Sequence, residues 1–453
     1  MRKLIATTTL VLVAALAASA TPAFAQESGK PWAAGELLVK LDEGGEKLVR
    51  LPDGVGVGEA AATLAENPAV AYALPNYIAR ASAVPNDPGL GSAPGDWRRT
   101  QWNFLPCGSL CSVAGGGGTP LDFQARGGLN ALDAWDVLKQ RRAPAGRGAR
   151  VAVLDTGVAF RDKKPGFLRS PDFIPRQFVG GFDFVKDNNK PLDRDGHGTH
   201  IAGTIAERNG NGVGLTGLVP NAKIIPIRVL DAQGLGTARN IARGIRYAAK
   251  QKADVINMSF EFALSVNSCA KIKSVCRAIK FAAKRGSILV GAAGNSNGEP
   301  VAYPAGAPRV LGIGRTTKDA CLATASRTGA GLDLVAPGGG LPALPSCGSD
   351  DTLFSRGAPI LQLTFTGRDF RTFGYPTFYE GTSMATAHVS GVAAMVVASK
   401  VLGRNPSPAA IECQLRATAR KANEQLGQPY DPRLFGSGLV DAATAVTARA
   451  SGC

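Results

Sequence analysis

The stretch of sequence that decides the fold and the chemistry lies late in the chain. It reads Gly381-Thr382-Ser383-Met384-Ala385-Thr386-Ala387-His388-Val389-Ser390-Gly391, and an apolar helical pattern continues to Val401. A serine at a helix start lies beside unpaired backbone N–H groups and the positive end of the helix dipole. An enzyme would place a nucleophile next to an oxyanion site at such a point. An ordinary helix N-cap has the same sequence features, so the rest of the chain must supply a base and a group that orients it.

Upstream of this stretch, short apolar runs alternate with amphipathic helical patterns. Continuous apolar strands separated by helices indicate a mostly parallel sheet covered on both faces, which is a three-layer α/β/α fold. Functional sites in such sheets lie beyond the carboxyl ends of the strands. The predicted strands cover residues 150–155, 178–184, 223–230, 253–258, 287–293, 309–314 and 332–336, and the predicted helices cover 133–140, a segment starting at 199, 237–250, 272–284, 383–401, 407–420 and 438–450.

Two further residues with catalytic chemistry lie in small-residue loops. Asp155 ends a predicted strand, where burial of a carboxylate without a partner is costly, so a cationic or hydrogen-bonding partner is expected. A turn-capping aspartate is the alternative. His197 lies between two glycines and is favoured as a general base, because the chain has 3 histidines and no nearby set with the spacing of a zinc site. His200 and His388 are interpreted as hydrogen-bonded structural residues.

Asp155, His197 and Ser383 follow one of the chain orders that build a catalytic triad. Residues 153–158, 195–203, 292–295 and 381–391 resemble the signatures of the subtilisin-like serine proteases (subtilases, peptidase family S8) of the secreted bacterial type. The resemblance covers about residues 130–450. It implies that Ser383 is the nucleophile, that His197 is the general base and acid, and that Asp155 orients the imidazole. It also implies an oxyanion hole formed by the Asn295 side chain and the Ser383 backbone N–H.

The resemblance also implies a groove in which a polypeptide substrate binds by strand addition. The residues of this chain that match the groove are Gly234, Leu235, Gly236, Ser259, Phe260, Glu261 and Gly294. Two positions depart from the family. Glu261 and Phe262 stand where small glycines usually follow the serine, and Ala387 stands where proline is usual. Alanine is a good helix former, so we expect the helix to continue through Ala387. Because Glu261 and Phe262 replace small residues, we expect the specificity pocket to differ in shape from that of the family.

Residues 209–215 resemble a calcium-binding loop of the family. The implied ligands are oxygen atoms of Asn209, Asn211, Val213 and Leu215, and Ca²⁺ is the only cofactor considered. Because the loop has few acidic residues, a glycine-rich turn without metal is the alternative.

The N-terminal part of the chain is interpreted as targeting and processing sequence. Residues 1–25 have the charged start, apolar run and Ala-x-Ala site of a signal peptide, which predicts secretion. Residues 26–85 form a small α+β unit that resembles inhibitory propeptides, with processing expected within residues 77–101. Residues 86–128 are predicted to be a linker and surface arm, and residues 129–453 the catalytic domain.

Bulk properties limit the partners. The net charge of +16 comes from scattered Lys and Arg without a nucleic-acid motif, so no nucleic-acid partner is expected. No segment beyond the leader has a membrane-spanning length of unbroken apolar residues, and a monomer is expected. The 8 cysteines of an exported chain indicate disulfides, and sequence proximity suggests Cys107–Cys111, Cys269–Cys276, Cys321–Cys347 and Cys413–Cys453.

The sequence therefore predicts a secreted, self-processed serine endopeptidase that works through an acyl-enzyme. One alternative is a binding or regulatory protein on the same scaffold with weak or no catalysis. Another is an esterase, which would normally carry a Gly-x-Ser-x-Gly elbow, whereas Ala385 stands at the position of the second glycine.

Overall fold

The computed structural model describes residues 32–77, 85–107, 123–343, 347, 357–421 and 429–453. Its chain divides into two units, residues 1–82 and 83–453, and each is described by itself. The predicted signal peptide and Cys111 lie outside the described residues.

The N-terminal unit contains a small antiparallel sheet and one helix. Strands β1 (Trp32–Leu41), β2 (Glu46–Arg50) and β3 (Val70–Tyr77) have the order β2-β1-β3, and helix α1 spans Val57–Ala65. Leu37, Val57 and Ala73 are among the residues of its core. The predicted α+β character of this unit is confirmed. Strand β2 escaped prediction because it is a charged, exposed edge strand without an apolar face.

The second unit is built on a sheet of seven strands. They are β4 (Arg150–Asp155), β5 (Phe182–Asp183), β6 (Lys223–Arg228), β7 (Val255–Met258), β8 (Ile288–Ala292), β9 (Val310–Thr316) and β10 (Leu334–Pro337), in the order β10-β9-β8-β7-β4-β6-β5. Every neighbouring pair is parallel, as predicted. The strand predicted over 178–184 shortens to β5, because Gly180 and Gly181 have φ values of 60° and 108° that interrupt extended backbone.

Helices cover both faces of this sheet. The described helices are α2 (Ala131–Gln140), α3 (His197–Ala206), α4 (Ala238–Lys250), α5 (Lys273–Lys284), α6 (Thr382–Ser399), α7 (Pro408–Ala417), α8 (Pro432–Phe435) and α9 (Ala442–Thr447). Side chains of β4 alternate between the two layers. Val151 and Val153 face the core that contains α3 and α6, whereas Ala152 and Leu154 face α4 and α5. The three-layer architecture is therefore confirmed.

Helix α6 is the central helix of the larger core. By length and composition it could cross a membrane, but 94% of that window is buried inside the protein, as expected for a core helix. It continues without interruption through Ala387, which is fully buried. The expectation that alanine preserves the helix is confirmed.

The predicted surface arm is wrong for its described aromatic part. Trp97, Trp102 and Phe104 are buried in the same core as α6. The indole N–H of Trp97 donates to Pro85 O and that of Trp102 to Pro359 O, each at 3.0 Å. The dense Gly and Pro residues around this segment suggested exposure. Large aromatic side chains can nevertheless be buried when their polar atoms have hydrogen-bond partners, as the two indole N–H groups have here. The hairpin of β11 (Thr364–Phe365) and β12 (Phe373–Gly374) was also missed, because two-residue strands carry no periodic signal.

Disulfides follow the predicted pairing where the structure describes both partners. Cys269–Cys276, Cys321–Cys347 and Cys413–Cys453 are bonded. Cys107 is also disulfide-bonded, and its predicted partner lies outside the described residues. Two of these bonds link a helix to another segment, because Cys276 lies in α5 and Cys413 in α7.

Candidate active site

Three neighbouring strands deliver the predicted site residues to one edge of the sheet. Strands β4, β7 and β8 are adjacent, and Asp155, Ser259 and Asn295 lie at or just beyond their carboxyl ends. Ser383 lies in the first turn of α6 and His197 is the first residue of α3. The parallel fold therefore concentrates these side chains where the sequence predicted a site.

Asp155 and His197 form a direct pair. Asp155 is fully buried, and its Oδ1 accepts hydrogen bonds from the backbone N–H of Thr156 at 2.7 Å and from His197 Nδ1 at 2.8 Å. The His197 side chain keeps 23% of its surface exposed. A carboxylate that accepts from Nδ1 fixes the imidazole tautomer and leaves Nε2 free to take a proton.

The close approach of the two segments depends on glycine. A Cβ on Gly198 would lie 2.1 Å from Gly157 O and 3.0 Å from the Asp155 side chain. Gly157 has a φ of 112° and packs against the backbone of Leu192 and Asp193. Side chains at either position would separate Asp155 from His197.

Asp193, which sequence reasoning did not single out, organises the start of α3. Its Oδ1 accepts from the Thr156 hydroxyl and from the backbone N–H groups of Asp195 and Gly196. Its Oδ2 accepts from the backbone N–H and hydroxyl of Thr199 at 2.9 and 2.6 Å. This carboxylate caps the helix and holds His197 in register with Asp155. An acidic residue four positions before a helical histidine was the available signal.

The electrostatic surroundings raise the pKa of His197 above its ordinary value. Burial lowers the pKa, but the charge and hydrogen bond of Asp155 and the charges of Asp195 and Asp193 outweigh it. The site therefore favours the imidazolium that forms when His197 accepts a proton.

Ser383 is held by a reciprocal contact with the segment after β7. Its hydroxyl donates to Ser259 O at 3.1 Å, and the Ser259 hydroxyl donates to Ser383 O at 2.8 Å. Asn257 continues this network, donating to Ser259 Oγ and accepting from the Ser390 hydroxyl. The turn that holds Ser383 is thus anchored on both β7 and α6. Among the described contacts the Ser383 hydroxyl is directed to Ser259 O and not to His197, so rotation about its Cα–Cβ bond must precede proton transfer.

Asn295 is oriented by the residue before Ser383. Its Oδ1 accepts from the Thr382 backbone N–H at 2.9 Å and from the Thr382 hydroxyl at 3.2 Å. This arrangement leaves both N–H bonds of Nδ2 directed away from Thr382. The Ser383 backbone N–H belongs to the unpaired first turn of α6. The Asn295 amide nitrogen and the Ser383 backbone N–H remain the two donors of the predicted oxyanion hole.

The two predicted substrate segments flank Asp155. Residues 234–236 follow β6 and residues 259–261 follow β7, and β6 and β7 lie on either side of β4. Asp231 fixes the first segment as a turn by accepting from the backbone N–H of Leu235, whose side chain is 69% exposed. In the second segment the Glu261 side chain is exposed, and Glu261 Oε1 accepts from the Asn295 backbone N–H at 3.2 Å.

The predicted calcium loop lies against carboxylates that the sequence reasoning missed. Backbone N–H groups of Gly210 and Asn211 donate to Asp87 at 2.9 and 3.0 Å, and Asn211 Nδ2 donates to Asp172 Oδ1 at 2.8 Å. Asp172 and the nearby Glu207 are fully buried, and Asp172 Oδ2 and both Glu207 carboxylate oxygens have no hydrogen-bond partner.

This loop offers hard oxygen donors with excess negative charge, which suits Ca²⁺. Burial raises the pKa of Asp172 to about 8 and that of Glu207 well above its ordinary value. The charge of Asp87 raises both pKa values further, and the charge of Asp172 adds to the shift at Glu207. No three His, Cys, Asp or Glu side chains within the described ranges form a ready-made metal cluster. The remaining ligands must therefore come from amide or carbonyl oxygens, among which the sequence implied Asn209, Asn211, Val213 and Leu215.

The other two histidines are neutral and structural. His200 Nε2 donates to Ile360 O at 2.9 Å, and its ring stacks on Tyr379 at 4.2 Å. His388 Nε2 accepts from Asn103 Nδ2 at 2.8 Å. Burial lowers both pKa values to about 3. Their predicted hydrogen-bonded role is confirmed.

Comparison with known proteins gives one consistent result. The Subtilase family model matches residues 146–438, more than half of the chain. An alkaline protease of Alkalihalobacillus alcalophilus is 34% identical over 304 residues, which are 67% of this chain and 66% of that protein. Subtilisin BL of Lederbergia lenta is 33% identical over 304 residues, covering 67% of this chain and 93% of the relative. A solved protease structure from Pseudoalteromonas arctica PAMC 21717 superimposes with a TM-score of 0.59 and 28% identity, covering 80% of this chain and 99% of that one.

Proposed function

Because the chain belongs to the subtilase family of serine endopeptidases, we propose that it hydrolyses peptide bonds with Ser383 as nucleophile, His197 as general base and acid, and Asp155 as the group that orients His197. Asn295 and the Ser383 backbone N–H form the oxyanion hole. The observation that carries this proposal is the 2.8 Å hydrogen bond between Asp155 Oδ1 and His197 Nδ1 at the sheet edge that also holds Ser383 and Asn295.

The reaction begins when a peptide strand pairs with residues 234–236 and 259–261. The Ser383 hydroxyl leaves Ser259 O and transfers its proton to His197 Nε2 while Ser383 Oγ attacks the carbonyl carbon. Asn295 Nδ2 and the Ser383 N–H stabilise the negative charge on the carbonyl oxygen. His197 then protonates the leaving amine, and the C–N bond breaks to give the acyl-enzyme.

Deacylation repeats these steps with water. His197 Nε2 removes a proton from water, the hydroxide attacks the ester carbon, and the oxyanion hole again stabilises the intermediate. The proton returns to Ser383 Oγ as the carboxylic acid product leaves. Thr382 supports both steps because it fixes the Asn295 amide so that nitrogen, and not oxygen, faces the reacting carbonyl.

The test is hydrolysis of casein by the wild type and by Ser383→Ala. We expect the variant to lose about 10⁶-fold in kcat, the scale of nucleophile removal in serine proteases of this class. A matched control is Ser399→Ala, which removes a buried hydroxyl at the far end of the same helix, where it donates to Val396 O. Retention of hydrolysis by purified Ser383→Ala would show that another residue is the nucleophile.

We further propose that the chain is exported through residues 1–25 and that residues 26–85 are a propeptide removed by self-cleavage within residues 77–101. Support comes from the separate small α+β core of residues 32–77. N-terminal sequencing of the secreted wild type and of Ser383→Ala tests both points. The wild type should begin within that window, and the variant should keep the propeptide.

Calcium is proposed as a stabilising ion at residues 209–215 and Asp172. It would be held by Asp172 with amide and carbonyl oxygens of the loop, and would supply charge compensation, not catalysis. Millimolar calcium should raise the Tm of the wild type at pH 8 and leave that of Asp172→Asn unchanged. Glu412→Gln, a change at a half-exposed position on α7, serves as the control and should respond as the wild type does. An equal response of Asp172→Asn would place the ion elsewhere.

A further inference from the structure

The carboxylate of Glu261 lies beside the proposed oxyanion hole. Its Oε1 accepts from the backbone N–H of Asn295, the residue whose side chain is the proposed oxyanion donor. Its Oε2 would lie 2.3 Å from a Cβ built on Gly294, so this carboxylate occupies space that glycine leaves open. Glu261 thus bridges the segment after β7 to the segment after β8.

Substrate geometry brings one side chain to this carboxylate. The attacked carbonyl carbon must lie about 3 Å from Ser383 Oγ, and its oxygen about 3 Å from Asn295 Nδ2. Ser383 Oγ is itself 3.1 Å from Ser259 O, two residues before Glu261. In the proposed substrate groove, the residue that supplies this carbonyl, called here the acyl-side residue, lies against residues 259–261 and Gly294, where the Glu261 carboxylate lies.

The described contacts give the Glu261 carboxylate a hydrogen-bond donor, the Asn295 backbone N–H, and no salt-bridge partner. Glu261 takes part in none of the ion pairs found among the described residues. Arg327 also packs against Gly294, but its guanidinium is committed elsewhere. It donates to Pro300 O at 2.7 Å, to Ser296 Oγ at 3.2 Å and to Asn297 O.

We propose that Glu261 is a specificity-determining residue that makes the enzyme select peptides with lysine or arginine as the acyl-side residue. The inference rests on the proposed endopeptidase function. A carboxylate bonded to the Asn295 N–H places negative charge near the carbonyl oxygen, where negative charge also develops during attack. A cationic side chain cancels that repulsion, whereas an apolar side chain leaves it and an acidic one adds to it.

Selectivity for the acyl-side residue should appear in kcat as well as in KM, because the repulsion grows as the oxyanion forms. It also predicts opposite responses of two substrates to one substitution. Glu261→Gln keeps the size and hydrogen-bonding ability of the side chain and removes its charge. The variant should cleave lysine substrates more slowly and leucine substrates faster than the wild type does.

The experiment measures kcat and KM for matched peptide anilides that differ only in the acyl-side residue, Lys, Leu, Ala or Glu. Wild type, Glu261→Gln, Glu261→Ala and the remote control Glu412→Gln are each prepared from the full-length chain. We expect the wild type to prefer Lys over Leu by about 10-fold or more in kcat/KM, and both Glu261 variants to lose that preference. Glu412→Gln should keep it.

The outcomes separate charge from size. If Glu261→Gln retains the wild-type profile and only Glu261→Ala changes it by accepting larger side chains, Glu261 acts by filling space and the proposal is wrong. A wild type that cleaves all four peptides without preference for Lys also overturns it, while leaving the endopeptidase function intact. Failure to cleave any of these peptides or casein overturns the proposed function and this inference together.

Discussion

Buried carboxylates at the two ends of helix α3 differ in their hydrogen bonding. At its N-terminus, Asp193 accepts five hydrogen bonds from backbone and hydroxyl groups, and Asp155 accepts from Thr156 and His197. At its C-terminus, both carboxylate oxygens of Glu207 lack a hydrogen-bond partner. The first end receives the unpaired N–H groups and the positive end of the dipole, and the second receives carbonyls and the negative end.

This difference assigns distinct roles to two acidic groups that look alike in the sequence. Carboxylates at the N-terminal end accept hydrogen bonds from backbone and side-chain groups and orient His197, the proposed general base. The carboxylates at the C-terminal end are those of Glu207 and Asp172. They are costly to ionise unless a bound cation neutralises their charge. One helix thus carries the proposed catalytic groups at one end and the proposed calcium dependence at the other.

The largest expected effect comes from removing charge at the N-terminal end. Asp155→Asn should lower kcat by about 10⁴-fold, because an amide in place of the carboxylate favours the wrong imidazole tautomer. Glu207→Gln at the other end is the matched control. Because Glu207 lies at the opposite end of α3 from His197, this variant should change kcat less than about 10-fold. Steady-state hydrolysis of one peptide by both variants checks the contrast. Equal losses of kcat in the two variants would contradict the proposed difference between the two ends of the helix.

The C-terminal end should show its character in the pH dependence of stability. The folded-state pKa values of Asp172, about 8, and of Glu207 are raised, so the folded protein binds more protons than the unfolded chain does. Without calcium, the free energy of unfolding should therefore fall as pH rises from about 4 to about 8, by about 1.4 kcal/mol for each unit by which a pKa is raised.

Glu207→Gln sharpens this measurement. It removes one of the two titrating groups, so its stability should fall less between pH 4 and pH 8 than that of the wild type in EDTA. Denaturant unfolding at several pH values gives the comparison. Parallel curves for the two proteins would mean that Glu207 ionises without cost in the folded state.

The smallest effect concerns the pH dependence of catalysis. Because the pKa of His197 is raised, activity should increase with pH through a value above 6.5 and be lost below it, where the imidazole is protonated. Asp195 is exposed and contributes one of the charges that raise this pKa. Asp195→Asn should shift the acid limb of kcat/KM to lower pH by a few tenths of a unit, and salt should shrink the shift. A shift in the opposite direction would contradict the charge assignment.

The fold was predictable from the sequence where one element carried a continuous pattern. Strand β4 was predicted at its observed bounds because an apolar run ends in Asp155. Strand β5 was overestimated because Gly180 and Gly181 break a run that hydrophobicity alone would extend. Trp102 was misplaced because its indole bonds Pro359, 257 residues away, and no local pattern reports a partner so distant in the sequence.

The site was predictable in its residue types and less so in its supports. Motifs marked Asp155, His197, Asn295 and Ser383, but the amide orientation of Asn295 depends on Thr382, 87 residues away. Asp193 and Asp172 carried no motif of their own. Their roles depend on which backbone groups the fold brings to them, and Glu261 gains significance only because its carboxylate reaches the Asn295 backbone.

The central claim is that Ser383 is a nucleophile activated by His197 and Asp155. Organophosphonate labelling followed by mass spectrometry of the modified peptide tests it most directly. Wild-type protein should carry one phosphonyl group on Ser383, labelling should slow by orders of magnitude in Asp155→Asn, and Ser383→Ala should remain unlabelled. A phosphonyl group on any other residue, or unchanged labelling of Asp155→Asn, would contradict the account.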